Sequence, residues 1–314
     1  DMNKLLNDFD TSIFDGIFRQ STFLQKTVTS TNENAVSATA AGLKNNTTTR
    51  ISVEQLAQAS TGVSADLGEI DPAAALAEQF GSADFGKKFT LNVFQPDGTI
   101  KSKEIVFDPE KDSLNDVLKK INNSGLGVTA FYDQQSHRIS ISTNHTGNNE
   151  KGAEISVEQT DGQLFTEVFK FASTDLATNG QNAKFTLNGL QTERTSNTFT
   201  INNITYTLKQ ETPAGAPVTI STATDVDAIY DKIQDFVDKY NDMIDKINGK
   251  LDEKRYRDYP PLTDEQRKEM SDNEIKLWEE KAKSGMLAGD GILPGGLNQM
   301  RLDLYSSVKG ANPN

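Results

Sequence analysis

The 314-residue chain carries 32 basic and 45 acidic residues, and a formal net charge of -13 without a long basic stripe opposes binding to phosphate backbones. It contains no cysteine, which removes disulfides, thiolate metal sites and thiol catalysis together. No apolar run approaches the roughly 18 residues of a membrane span and no basic-then-apolar leader opens the chain, so neither nucleic acid nor membrane is expected as a partner.

In chain order, Met2, Leu5, Leu6, Phe9, Ile13, Ile17 and Phe18 predict an opening helix, followed by an irregular polar linker from Thr27 to Thr49. Ile51 to Ala57 starts as a strand, and Gly62 to Phe85 has only weak periodicity. Phe89, Leu91 and Val93 alternate, Pro96-Asp97-Gly98 predicts a turn, and Ile105 with Phe107 returns, which makes a hairpin. Ser113 with Asp116 three residues on caps a short helix through Leu114, Val117, Leu118 and Ile121. Strands at Val128–Tyr132, Ile139–Ile141 and Ile155–Val157 complete a ββαβββ unit. A second β block runs from Phe185 to Ile220, with a tight turn expected at Asn202-Asn203 because asparagine tolerates positive φ.

The period then switches. Val226, Ile229, Ile233, Phe236, Tyr240, Met243 and Ile247 alternate steps of three and four along one helical seam. Tyr230, Val237, Ile244 and Leu251 form a second row beside it, so the apolar face is wide enough to need two neighbours. Thr224 with Asp227 gives a cap-like start. A charge-rich segment follows, with Pro260-Pro261 as a stop, capping boxes at Thr263–Gln266 and Ser271–Glu274, and Trp278 expected to anchor its helix onto the bundle. After a glycine-rich turn, Leu297, Met300, Leu304 and Val308 predict a last amphipathic helix.

Helical ends around a β middle predict an α+β multidomain protein, in which a discontinuous, coiled-coil-like helical domain from both termini carries inserted antiparallel β-rich domains. The expected partition is 1–52 with 223–314 as the helical domain, 53–85 with 175–222 as a β-rich domain, and 86–174 as the inserted ββαβββ domain.

Catalysis needs titratable groups held together, and few are available. His137 and His145 are the only histidines, and neither belongs to a metal-binding motif. The acids from Asp108 to Asp112 are mixed with Lys111 and lack a calcium-loop pattern, so a turn and helix start accounts for them. No catalytic residue, metal ligand or cofactor is assigned, and an enzyme is not expected.

The runs Asn182-Ala183-Lys184-Phe185-Thr186-Leu187-Asn188-Gly189, Glu193-Arg194-Thr195-Ser196-Asn197-Thr198-Phe199, Tyr206-Thr207-Leu208 and Pro217-Val218-Thr219-Ile220, followed by Asp225 and Phe236-Val237-Asp238-Lys239-Tyr240-Asn241, resemble the flagellar hook-associated protein 2 family, the FliD filament cap proteins. Ile51 to Ala57 is similar to that family's entry strand, and Lys254 to Lys283 to an extension found in part of it. The resemblance covers nearly the whole chain, although the family's full apolar terminal segments are lacking at both ends, which suggests a trimmed chain.

The resemblance implies a non-enzymatic, ring-like homo-oligomer at the distal tip of the bacterial flagellum, outside the cell. Such a cap holds exported flagellin until it folds and joins the filament. It also implies passage through the flagellar export channel without a cleaved signal peptide, hook–filament junction proteins as neighbours, and an export chaperone acting through a C-terminal segment not present here. Helical legs would contact the filament end and the β domains would form the plate. The exposed charge from Lys250 to Lys283 marks Lys254, Arg255, Arg257 and Trp278 as an expected flagellin-facing surface, or else as a brace for the leg. The alternative reading is a surface adhesin that binds host glycan or mucin through its exposed β domains, for which no sugar-stacking cluster appears.

Overall fold

The structure, a computed structural model, describes residues 2–81 and 83–306. The chain opens with α1 (Met2–Ser12), a π turn at Ile13–Ile17 and a 3-10 turn at Gln20–Leu24. Then come β1 (Lys26–Ser30), β2 (Val36–Ala40), β3 (Thr48–Gln55), β4 (Ala59–Val63) and the single-turn α2 (Leu76–Phe80). The ββαβββ segment is β5 (Lys88–Phe94), β6 (Ile100–Val106), α3 (Leu114–Asn122), β7 (Val128–Asp133), β8 (Arg138–Thr146) and β9 (Ile155–Glu158). A π turn at Leu164–Val168 leads to β10 (Asp175–Ala177), β11 (Ala183–Leu187), β12 (Leu190–Arg194), β13 (Thr198–Ile201), β14 (Ile204–Leu208) and β15 (Val218–Thr224). Helices α4 (Val226–Leu251), α5 (Asp264–Lys268), α6 (Asp272–Lys283) and α7 (Ile292–Tyr305) close the chain.

Two compact units result, Asp1–Gln25 with Asp225–Asn314 and Lys26–Thr224. The helical unit is therefore discontinuous, built from both ends of the chain. Its expected borders at 52 and 223 move to 25 and 225, because the polar stretch read as linker is three strands. β1 pairs antiparallel with β15, β2 with β14, and β3 with both β15 and β11. Hydroxyls make that polar stretch strand-competent: Thr47 and Thr222 bond side chain to side chain at 3.1 Å, and the Thr29 hydroxyl donates to the Ser221 carbonyl.

The β unit holds two buried cores. One lies between the sheet β1-β15-β3-β11-β12 and the sheet β13-β14-β2, where Phe185 stacks on Phe199 at 4.4 Å and Tyr206 is fully buried. Asn202 and Asn203, at φ 50 and 63, form the turn that joins β13 to β14. The other core lies between the sheet β10-β9-β5-β6 and the sheet β4-β8-β7 with α3, around Phe89, Phe165 and Phe169. The weakly periodic stretch after residue 58 belongs here, since β4 pairs with β8 and Leu67, Leu76 and Phe85 enter this core. Ser113 caps α3 in a reciprocal box with Asp116, and Leu114, Val117, Leu118 and Ile121 bury its inner face.

Between the two cores the Glu154 carboxylate is 1% exposed and accepts from the Ser60 hydroxyl and from the Asn149 and Gly180 amides. Those hydrogen bonds replace the water that a buried carboxylate otherwise lacks.

Candidate interaction surface

Helix α4 begins at Asp225, whose carboxylate accepts from the Ala228 amide; Asp225 is the cap, in place of the expected Thr224 and Asp227. A preceding carboxylate one residue nearer satisfies an orphan amide of the first turn and complements the helix dipole. The seam then divides. In its second half Met243 and Ile247 are each 1% exposed, and Phe236 and Tyr240 pack against Phe9 of α1 with ring centroids at 6.0 and 6.1 Å. Leu293, Leu297 and Met300 of α7 cover the same cluster. In its first half Val226 is 68% and Ile233 40% exposed, and Tyr230 and Val237 of the second row are exposed too. Ile229 is half-buried.

Helix α1 stops short of the predicted Phe18. At Ile13–Ile17 the ladder widens to a π turn, and the Thr22 hydroxyl donates to the Gly16 carbonyl to turn the chain away. Phe14 and Phe18 are left stacked on each other at 5.8 Å and largely exposed. An apolar groove of about 420 Å³ opens beside them, floored by Phe9, Phe236, Tyr240 and Met300. Leu304 lines it as expected of the last helix, while Val308 lies outside the described residues.

The charged segment after α4 folds on itself. The Trp278 indole N–H donates to the Pro260 carbonyl at 2.8 Å, and its ring lies 4.7 Å from that of Tyr259. Trp278 thus anchors α6 onto the Tyr-Pro-Pro loop and not onto the bundle, because the loop carbonyl that follows Tyr259 offers the acceptor the indole needs. The Lys281 ammonium sits 4.6 Å over Tyr259 and the Lys254 ammonium 5.3 Å over Tyr256, placing cations on aromatic faces. Gly285, at φ 69, meets the backbone of Arg255 so closely that any Cβ there would collide with it.

Glu253 links the hairpin's two ends, pairing with Lys250 and accepting from the Gly285 amide, and these contacts hold its carboxyl below the usual range. Of the four residues singled out, Lys254, Arg255 and Arg257 are exposed and Trp278 is half-buried. Pro260 was expected only as a helix stop, and neither Tyr256 nor Tyr259 carries a periodic or motif signal that marks it as a partner of the charged segment.

Elsewhere, His145 Nε2 contacts the Phe94 carbonyl and His137 sits half-buried in a turn at φ 55. The acids near Asp108 are consumed locally, Asp108 by the Glu110 amide and Lys111, Asp112 by the Asp108 amide and Lys120. Among the described residues no group of three or more His, Cys, Asp or Glu is placed to hold a metal, and no helix is long and apolar enough to cross a membrane.

With this geometry in view, the similarities to known proteins are consistent along the chain. Models of the flagellar hook-associated protein 2 N-terminus and C-terminus match residues 1–60 and 180–314, and the flagellin hook IN motif matches 90–144. The flagellar hook-associated protein 2 of Halalkalibacterium halodurans is 32% identical over 333 residues, covering 98% of this chain and 62% of that protein's length. The crystal structure of the flagellar cap protein FliD D1-D2-D3 domains from Escherichia coli superposes with a TM-score of 0.69 at 24% identity, covering 99% of this chain and 78% of that one. The D2-D3 structure from the same organism gives 0.51 at 26% identity, covering 64% of this chain and 99% of that one. The chain belongs to the flagellar hook-associated protein 2 family.

Proposed function

We propose that this chain is a subunit of a filament cap: a ring-like homo-oligomer at the distal, extracellular tip of the bacterial flagellum that retains exported flagellin until it folds and inserts. The cap works through surfaces alone, with no chemical step and no cofactor. Flagellin and further copies of the chain are its main partners. Hook–filament junction proteins are neighbours during assembly, an export chaperone escorts the chain through a C-terminal segment, and passage is through the flagellar channel.

The observation that carries this reading is the divided seam of α4. A 26-residue helix whose apolar row is buried at one end and bare at the other is suited to pack against other chains, in the manner of a coiled-coil leg. Heterologous packing of one surface on another closes into a ring when the rotation permits. The mobile work of a cap, which must shift as subunits are added, favours many modest contacts over one of very high affinity. The hairpin bearing Lys254, Arg255, Arg257 and Trp278 serves as the flagellin-facing surface on this reading, self-braced so that its charges are presented on a stiff frame.

Complementation of a strain lacking its cap tests the proposal, scored by flagellin lost to the medium and by filament length. Expression of the chain from its native locus should restore filaments. Removal of residues 254–283 should cost filament growth and leave oligomers intact. Full flagellin loss despite correct export of the chain would refute the cap role, and normal filaments in the deletion would refute the hairpin's part in it.

A further inference from the structure

Strand β6 is an edge of the sheet β10-β9-β5-β6 and, among the described residues, pairs with β5 alone. The ladder's phase follows from its flanks, where the Phe107 amide donates to the Lys87 carbonyl and the Gln95 amide to the Thr99 carbonyl. Odd-numbered residues of β6 therefore exchange hydrogen bonds with β5, and Ile100, Ser102, Glu104 and Val106 turn their N–H and C=O outward. The Val106 carbonyl accepts from Lys120 Nζ at 3.2 Å. Among the described residues, nothing bonds to the outward backbone groups of Ser102 and Glu104.

Apart from Ile105, this strand is exposed. It forms one wall of a groove of about 550 Å³ whose other wall is a single face of α3 and its lead-in, carrying Asp112, Asp116, Lys119 and Lys120. A strand edge beside a helix is a geometry that takes an extended peptide as an added strand, with backbone bonds supplying affinity and side-chain contacts supplying choice.

The charges say which peptide. Asp112 is paired with Lys120 at 2.5 Å, Glu104 with Lys88 at 3.0 Å, and Asp116 accepts from the amide and hydroxyl of Ser113. Asp112 and Glu104 are thus neutralised by ion pairs, whereas Asp116 keeps its charge near Lys119 and Lys120. Among the described residues the remaining unpaired charges of the groove, Asp116 against Lys103 and Lys119, leave it net positive. Among the described residues Lys103 donates only to the neutral Ser124 carbonyl, and neither Lys103 nor Lys119 forms an ion pair. A second copy is the wrong occupant: antiparallel self-pairing with Ser102 opposite Glu104 sets Lys103 against Lys103, and like charges directly opposite are destabilising.

We propose that the groove between β6 and α3 receives an extended acidic polypeptide segment, added to the sheet along Ser102 and Glu104 and selected by Lys103 and Lys119.

The probe is a synthetic peptide of alternating threonine and glutamate, titrated by fluorescence anisotropy onto the whole chain, with an alternating threonine–lysine peptide as its counterpart. Saturable binding of the acidic peptide is expected, weaker by about tenfold or more for the basic one. Exchange of the Ser102 and Glu104 amides should slow on binding. Ser102→Pro removes an outward amide at an edge position that tolerates proline and should abolish binding with the circular dichroism unchanged. Lys119→Glu should weaken binding by about tenfold, and it decides the matter if Ser102→Pro does not fold. Absence of saturable binding, equal binding of the two peptides, undiminished binding by Lys119→Glu, or a dimer in sedimentation that Ser102→Pro abolishes would each overturn the proposal.

Discussion

The β unit and the helical unit solve the burial problem differently. The larger β core is filled by apolar side chains from every strand around it except β4, whose inward positions are Ser60 and Gly62, whereas among the described residues the only buried apolar side chains of the helical unit are Phe9, Met243 and Ile247. Apolar area removed from water contributes stability in proportion, so the β unit carries its own stability and the helical unit holds little in reserve. Sequence periodicity alone does not reveal this. Val226 and Ile247 occupy equivalent places in the heptad pattern, and one is 68% exposed while the other is 1%.

The largest expected effect lies in the β unit. Phe165→Ala removes a ring set edge-on to Phe89 at 4.8 Å and to Phe169 at 5.4 Å, and should cost about 3–5 kcal/mol in urea unfolding. A matching loss of the α4 helical signal at the same urea concentration would break the comparison, because the two units would then unfold as one. Next, Ile247→Ala should cost about 2 kcal/mol or more, and Ile233→Ala less than about 0.5 kcal/mol. Should Ile233→Ala cost as much, and more so at high protein concentration, the bare half of the seam is covered in solution by another copy.

Caps sharpen the contrast on a smaller scale. Ser113 is buried and its helix is bound into a core, so Ser113→Ala should lower global stability by about 1 kcal/mol. Ser271→Ala breaks an equivalent box on the exposed α6 and should raise amide exchange there without moving the unfolding midpoint of the β unit.

The smallest effect is one of pH. Hydrogen bonds from the Ser113 hydroxyl, and then from its amide, hold the Asp116 carboxyl below the usual range. A depressed folded-state value means the contribution is fully present above the unfolded aspartate value of about 3.9 and is lost as pH falls through the folded value. Asp116→Asn should therefore flatten the acid limb of the stability profile, measured as thermal midpoints below pH about 4.

Much of this architecture was legible in the residues. The limits of α4, the ββαβββ order, the strands β11, β13, β14 and β15 and three capping boxes follow from period and turn chemistry, which are local, while β12 was not foreseen. What failed was non-local. Lys26–Ser30 and Val36–Ala40 offer one large apolar side chain each, Val28 and Val36, and become strands only because β15 and β14 lie alongside. Trp278 could be read as an anchor from its type, but its acceptor, the Pro260 carbonyl, is set by the path of the loop. The division of the α4 seam was hidden for the same reason, since the partners of a helix are not written in the helix.

The register that seats Lys26 opposite Thr224 joins positions 198 apart in the sequence. Pairings that distant are reached slowly, because the loop between them must close before the contact rewards it. The core around Phe165 closes within the intervening stretch and is free to form first, shortening the effective span. Refolding should accordingly show two kinetic phases, an early one reported by the Phe89 region and a late one by β1 docking on β15. The order of events in time thus runs from the middle of the polypeptide outward.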